Sequence, residues 1–76
     1  MNQERDILFE ELVGRHIDLV FYMAKSWCHC SSWAEDLAQD SFLKAYANFD
    51  QFTPGTNFKA WILKILRNVY LDAKKK

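Results

Sequence analysis

The sequence contains few of the residues that interrupt helices. Its 76 residues include two glycines and one proline. Relative to alanine, glycine destabilises a helix interior by about 1 kcal/mol and proline by about 3 kcal/mol, while folds made of many short strands need more of both in their turns. Half of the residues are hydrophobic and 16% are aromatic. The composition therefore predicts one all-α domain, a compact bundle of three to four helices.

Long apolar segments are absent as well. No apolar run approaches the roughly 20 residues that a membrane-spanning helix needs. The N-terminus, MNQERD, lacks the basic and then apolar pattern of a signal peptide. We therefore expect no membrane insertion and a cytoplasmic location.

Catalytic motifs are also missing. The sequence has neither a glycine-rich phosphate loop nor an HExxH motif. It has two histidines, and His16 lies in an apolar helical stripe, where a core or boundary residue is the usual occupant. We therefore expect no enzymatic activity and no cofactor.

Cys28, His29 and Cys30 form the one cluster of metal-binding residue types. Zinc sites generally separate their cysteines by two to four residues and use four ligands. Two cysteines one residue apart are not a disulfide framework either. We expect a loop between helices with no metal bound, and metal or thiol sensing through these residues is the alternative.

Apolar spacing and capping patterns divide the chain into helices. Residues 4–27 form one long helix or two collinear helices, because Gly14 is able to bend the segment. Ser32 and Glu35 fit a capping box, which predicts a second helix from Trp33 to about Phe49. Its inward-facing residues would be Ala34, Leu37, Ser41, Ala45 and Phe49, with Phe42 alongside.

A turn separates this helix from the last one. Pro54 and Gly55 mark a loop over residues 53–57. Thr56 or Asn57 is expected to cap the final helix, which begins with Phe58. Its outward stripe would be Lys64, Arg67, Asn68, Leu71 and Lys75.

The net charge is zero, but the charges are segregated. Residues 1–57 contain four basic and nine acidic residues, a formal charge of −5, and residues 58–76 contain six basic and one acidic, a charge of +5. This arrangement indicates two partners of opposite character. For Lys74–Lys76 the alternative is a simple complement to a helix C-terminus.

Each charged region has a candidate binding face. Glu35, Asp36, Gln39 and Asp40 share a face of the second helix, which Leu43 continues. This face could bind a basic protein surface, and an ordinary solvated helix face is the alternative.

The last helix suits a nucleic acid. Lys64 and Arg67 could bind phosphates, and Asn68 could form paired hydrogen bonds with a base edge. Phe52 and Phe58 flank the polar loop, where aromatic rings beside exposed amides could hold an unstacked base. Alternatively these rings are core, which we expect for Phe58 and Trp61, whereas the place of Phe52 is open.

Three motifs together resemble a known family. The sequences FEELVGRHIDLVFYMA, AEDLAQDSFLKAY and FDQFTPGTNFKAWILKILRN occur in this order. They are similar to region 2 of extracytoplasmic-function (ECF) sigma factors, over about Leu8 to Lys76. The resemblance implies a single domain over residues 1–76, the N-terminal part of a longer bacterial protein. The C-terminal helix-turn-helix of the family, region 4, is absent from this sequence.

The resemblance implies a role in transcription initiation. Family positions that bind the clamp helices of the largest RNA polymerase subunit are occupied by Asp36, Gln39 and Asp40, with Leu43 beside them. Asp40 stands where the family more often has glutamate, and the segment CHCSSW replaces a short polar turn.

The resemblance also implies that single-stranded promoter DNA is bound. Phe52 and the loop residues Thr53, Gly55, Thr56 and Asn57 would capture a flipped non-template base of the minus-ten element. Asn68 matches a base-contacting asparagine, and Lys64, Arg67 and Asp72 lie on the side facing DNA. Together, Phe52, the loop and Asn68 would form one pocket for one extruded base.

An anti-sigma factor is a further expected partner, because the family is commonly regulated in that way. The alternative function is a regulatory module that such a factor holds, or that senses metal or oxidation through Cys28 and Cys30.

Overall fold

The computed structural model describes residues 3–75, which form three α-helices. Helix α1 spans Gln3–Cys28, α2 spans Ser31–Ala47 and α3 spans Phe58–Lys74, with a 3-10 turn over Phe49–Gln51 between α2 and α3. No strand occurs within residues 3–75. The predicted all-α bundle is confirmed.

Helix α1 is continuous through Gly14, so the first of the two interpretations is correct. Gly14 is exposed, and a Cβ atom placed on it would have no neighbour within 4 Å. Neither packing nor a turn requires glycine here, and the surrounding helix tolerates its cost of about 1 kcal/mol.

The predicted capping box of α2 is wrong. His29 has a φ of 56°, in the left-handed region, and its N–H donates to the carbonyl of Lys25 at 2.8 Å. This conformation ends α1 and reverses the chain at once. The Cys30 carbonyl then accepts the first helical bond of α2, from the Ala34 N–H at 2.8 Å. Helix α2 therefore begins at Ser31, with Cys30 as its N-cap and no side-chain cap.

The end of α2 also differs from the expectation. The α-helix stops at Ala47, and Phe49 lies in the 3-10 turn. Asn48 ends the helix, since its backbone N–H and its side-chain amide both donate to the Lys44 carbonyl, at 3.0 and 2.9 Å.

The three helices enclose one core. The predicted inward residues of α2 are all buried, with Phe42 half-buried beside them. Alanines at positions 24, 34 and 45 are completely buried in this core. The buried hydroxyl of Ser41 donates to the Leu37 carbonyl at 2.7 Å, which removes the cost of an unpaired polar group.

The loop before α3 is a compact turn. The N–H of Thr56 donates to the Thr53 carbonyl at 3.1 Å, and its hydroxyl to the same oxygen at 2.6 Å. Gly55 has a φ of 89°, which favours glycine. Asn57 is the N-cap of α3, because its side-chain oxygen accepts from the Ala60 N–H at 3.2 Å. Within residues 3–75, none of the helices is long and apolar enough to span a membrane.

Candidate nucleic-acid and protein interfaces

One face of α3 carries the predicted basic stripe. Its members are all exposed, namely Lys64, Arg67, Asn68, Leu71 and Lys75. Ile62, Leu66 and Val69 are buried on the opposite side. An amphipathic helix thus anchors itself through its apolar face and presents Lys64 and Arg67 about one turn apart, with Lys75 about two turns further on at the helix end, an arrangement that suits phosphates.

Asn68 lines a groove on this face. The other lining residues are Leu71, Asp72, Lys74 and Lys75. The amide of Asn68 is therefore accompanied by one carboxylate and two ammonium groups. This set can hydrogen-bond a base edge and neutralise the phosphates beside it.

Leu71 also lines a second groove, together with Trp27, Arg67 and Tyr70. The Tyr70 hydroxyl donates to the Trp27 carbonyl at 3.2 Å, which fixes the ring of Tyr70 against the end of α1. The Lys74 ammonium lies 5.5 Å from the centroid of that ring, a cation–π contact. Aromatic surface from α1 therefore borders the basic stripe.

Phe52, whose place the sequence left undecided, is a core residue. It is 7% exposed. Its ring stacks on Phe49 at 5.6 Å between centroids and meets Phe58 edge-on at 5.4 Å. Trp61, half-buried, lies 5.2 Å from it. Phe58 is core as expected, and the five residues of the loop above, 53–57, are all exposed.

The exposed part of Phe52 borders a cavity of about 350 Å³ between the loop and α1. The cavity is also lined by Glu4, Arg5, Leu8, Phe49, Asp50 and Pro54. Asn68 lines a different groove and stands ten residues into α3, about 15 Å along the helix at 1.5 Å per residue. The structure therefore does not bring Phe52 and Asn68 into one pocket.

Arg5 ties α1 to the segment that leads into the loop. Its guanidinium lies 3.1 Å from the Asp50 carboxylate and 3.4 Å from the Tyr46 carbonyl, at the end of α2. It also lies 5.3 Å from the centroid of the Phe49 ring. The Tyr46 hydroxyl donates to Asp6 at 2.9 Å, and this hydrogen bond raises the pKa of Tyr46 above its ordinary value of about 10.

The acidic face of α2 is exposed at every predicted position, which includes Asp36, Gln39, Asp40 and Leu43. Gln39 and Leu43 also line a groove of about 630 Å³ between α1 and α2, to which Ile17, Phe21 and Phe42 contribute apolar surface. Asp36 and Asp40 do not line it.

Ile17 and Phe21 were missed because they lie outside the main apolar stripe of α1. Ile17 is 47% exposed and Leu43 is 64% exposed. In the sequence, Ile17 and Phe21 are four residues apart, so both side chains lie on one face of α1. This spacing was the signal that could have identified them. The predicted acidic face thus borders an apolar groove of the kind that binds protein partners.

The cysteine loop shows no clustered ligands. Cys28 is half-buried, Cys30 is exposed, and both thiols are free. The Cys28 thiol donates to the Cys30 carbonyl at 3.3 Å. In the part of the chain from residue 3 to 75, no three His, Cys, Asp or Glu side chains are grouped so that they could hold a metal ion.

His16 occupies the boundary position that its stripe predicted. It is half-buried, with its ring 5.1 Å from that of Phe58. Its Nδ1 lies 2.7 Å from the Leu12 carbonyl. Because a carbonyl only accepts, Nδ1 carries the proton in this contact.

Comparison with known proteins identifies the family of this chain. Residues 12–76 match the family model described as Sigma-70 region 2. The chain is similar to the ECF RNA polymerase sigma factor SigE of Mycolicibacterium smegmatis, with 34% identity over 84% of this chain and 24% of that protein. It is also similar to the ECF sigma factor SigW of Bacillus subtilis, with 29% identity over 90% of this chain and 36% of that protein.

A third similar protein is the ECF sigma factor EcfG of Rhodopseudomonas palustris, with 51% identity over 49% of this chain and 20% of that protein. The chain therefore spans between a fifth and just over a third of the length of these relatives. The family model covers both exposed faces and the loop between them. The chain belongs to the sigma-70 region 2 family, and its resemblance to region 2 of ECF sigma factors is confirmed.

Proposed function

We propose that this chain is the module of a bacterial transcription initiation factor that binds RNA polymerase and holds melted promoter DNA. The observation that carries the proposal is the separation of two exposed faces by one core. The acidic face of α2 lies beside an apolar groove, and α3 presents cations and an amide on another surface. Such a domain can bind a basic protein surface and a nucleic acid at the same time.

The polymerase surface comprises the acidic face of α2 and the groove beside it. Asp36 and Asp40 provide charge that steers a basic partner, here the clamp helices of the largest polymerase subunit. Gln39 and Leu43 extend this surface into the groove, where apolar burial contributes most of the affinity. The contact therefore combines steering at an acidic edge with packing at an apolar centre.

The DNA surface comprises the stripe of α3 and the loop. Lys64 and Arg67 bind phosphates of the non-template strand, and Asn68 hydrogen-bonds one base of the minus-ten element. Asp72, beside Asn68 in its groove, accepts from a base amine or orients a neighbouring cation.

The loop residues Thr53, Gly55, Thr56 and Asn57 cover a second base, which enters the cavity beside Phe52. Phe52 acts as the apolar floor of this cavity, since the ring is buried in the aromatic cluster.

Capture of an extruded base favours the open promoter. Removing a base from the stack costs a few kcal/mol in duplex DNA and less in a strand that is already single. A domain that binds the extruded base therefore binds melted DNA more tightly than duplex DNA. The binding free energy shifts the promoter toward the open state, and no covalent step is required.

Two variants test whether DNA binding and polymerase binding reside on different surfaces. Asn68→Ala should weaken binding of a minus-ten single strand by about 1–3 kcal/mol, selectively at one base. Asp36→Ala should weaken binding of a clamp-helix fragment and leave oligonucleotide binding unchanged. Fluorescence anisotropy measures both affinities, and circular dichroism checks that the variants fold. Equal loss by Asn68→Ala on all sequences, or impaired DNA binding by Asp36→Ala, would contradict the assignment.

Three further features that the resemblance or the sequence suggests remain predictions. They are an anti-sigma partner, a thiol or metal sensor at Cys28 and Cys30, and a longer protein with a C-terminal helix-turn-helix. Zinc titration of Cys28→Ser and Cys30→Ser variants distinguishes the sensor from an inert loop.

A further inference from the structure

The cavity between α1 and the loop is lined by both apolar and charged residues. Its apolar walls are Leu8, Phe49, Phe52 and Pro54. Its charged residues are Glu4, Arg5 and Asp50. At about 350 Å³ it has roughly ten times the volume of one water in the liquid, enough for the roughly ten non-hydrogen atoms of one nucleobase.

The charged lining residues comprise two carboxylates and one guanidinium. Ionised carboxylates only accept, and a guanidinium only donates. Arg5 is paired with Asp50 at 3.1 Å, on the side of the cavity nearest the 3-10 turn. Glu4 adds a second carboxylate from the first turn of α1 and is exposed to solvent. A ligand that enters therefore meets two acceptor groups and one donor group.

These groups discriminate between bases. A base with an exocyclic amine donates to a carboxylate, as cytosine does through its N4 amine. Its ring nitrogen or carbonyl can accept from a guanidinium. Thymine presents a carbonyl where cytosine has the amine, so two acceptors would face each other and lose their hydrogen bonds to water.

We propose that this cavity selects a base with an exocyclic amine against thymine, and that Glu4 is the residue that determines this preference. The inference rests on the proposed capture of a flipped base by the loop. It adds α1 to the base-reading surface and names the chemical class of the captured base. Asn68, which lines a separate groove, then reads a different nucleotide of the same strand.

The experiment first locates the captured position. The 76-residue chain is titrated with minus-ten single strands in which each base in turn is replaced by an abasic site. We expect one position, distinct from the position that Asn68→Ala affects, where base removal weakens binding strongly. If removal of the base has no effect at any such position, both the loop capture and this inference fail.

At the captured position, 5-methylcytosine is then compared with thymine, because both carry the ring methyl group and they differ in the amine. We expect 5-methylcytosine to bind about tenfold more tightly. Glu4→Gln should reduce this ratio to about threefold or less, since an amide can also donate to the thymine carbonyl. Glu11→Gln, at an exposed position of α1 outside the cavity, should leave the ratio unchanged.

The two failures are distinguishable. A captured position with no preference for 5-methylcytosine, or with a preference that Glu4→Gln leaves intact, would overturn the inference while loop capture stands. Glu4 is exposed, so its substitution does not endanger folding, and thermal unfolding of each variant verifies this.

Discussion

The surface around α2 and the surface of α3 differ in how their polar groups are arranged. On α2, the exposed Asp36 and Asp40 share a helix face with Gln39 and Leu43, and the latter two line an apolar groove that α1 completes. On α3, Lys64 and Arg67 lie within one stripe, with Asn68 among them. The first arrangement suits a protein, which needs a desolvated apolar contact with a charged edge. The second suits a polynucleotide, which needs cations in register with phosphates and a few directional groups.

The two surfaces are joined by one aromatic cluster. Phe49 follows α2, Phe58 begins α3, and Phe52 contacts both rings. Phe9 of α1 also meets Phe49, at 5.0 Å. The position of the loop therefore depends on packing that all three helices share.

The largest effect is expected from disruption of the apolar groove, which should weaken the proposed binding of a protein partner. Ile17→Glu places a charge among apolar side chains, and we expect clamp-fragment affinity to fall by about 2–3 kcal/mol. Oligonucleotide affinity should not change. Tyr22→Glu is the matched control, because Tyr22 is 68% exposed on α1 outside the groove. An equal fall for both variants would show that added charge, and not the groove, is responsible.

Removal of Arg5 should weaken the proposed binding of DNA. Arg5→Ala deletes the contacts with Asp50 and the Tyr46 carbonyl, so the 3-10 turn and the loop lose a support. We expect oligonucleotide affinity to fall by about 1–2 kcal/mol, with Arg5→Lys intermediate. Arg15→Ala, at an exposed position of the same helix, is the control. Filter binding measures the affinities, and unchanged binding by Arg5→Ala would mean that the loop holds its position without Arg5.

Lys64 tests whether the stripe of α3 acts by charge alone. Lys64→Ala should weaken binding of all single strands uniformly. The slope of log affinity against log salt should become shallower by about 0.7, the value expected for one phosphate of a single strand. A salt titration from low to moderate ionic strength measures the slope. A loss confined to one sequence would contradict a phosphate contact.

The smallest expected effect lies outside both surfaces. Gly14→Ala should raise the free energy of unfolding by about 0.5–1 kcal/mol, because α1 is regular there and a methyl group meets nothing within 4 Å. Both binding activities should be unchanged. Urea denaturation measures the stability, and a destabilised variant would mean that Gly14 has a role in packing or dynamics.

The helices and their buried faces could be predicted because periodic burial is a local property. Leu37, Ser41 and Ala45 recur at helical spacing, and they are buried. The cap at Asn57 was predictable for the same reason, since a cap depends on residues within one turn. The start of α2 was not, because the left-handed His29 replaced the expected capping box, and such a backbone conformation leaves no signal in apolar spacing.

The sequence alone determined the all-α class, the segregation of charge and the exposed stripes of α2 and α3, because each follows from composition or from positions on a single helix. Only the tertiary structure decided that Phe52 is buried, that Asn68 and the loop cavity are separate, and that Ile17 faces Leu43 across a groove. These facts depend on contacts between residues far apart in the chain. The packing angles of the helices set such contacts, and no single helix determines those angles.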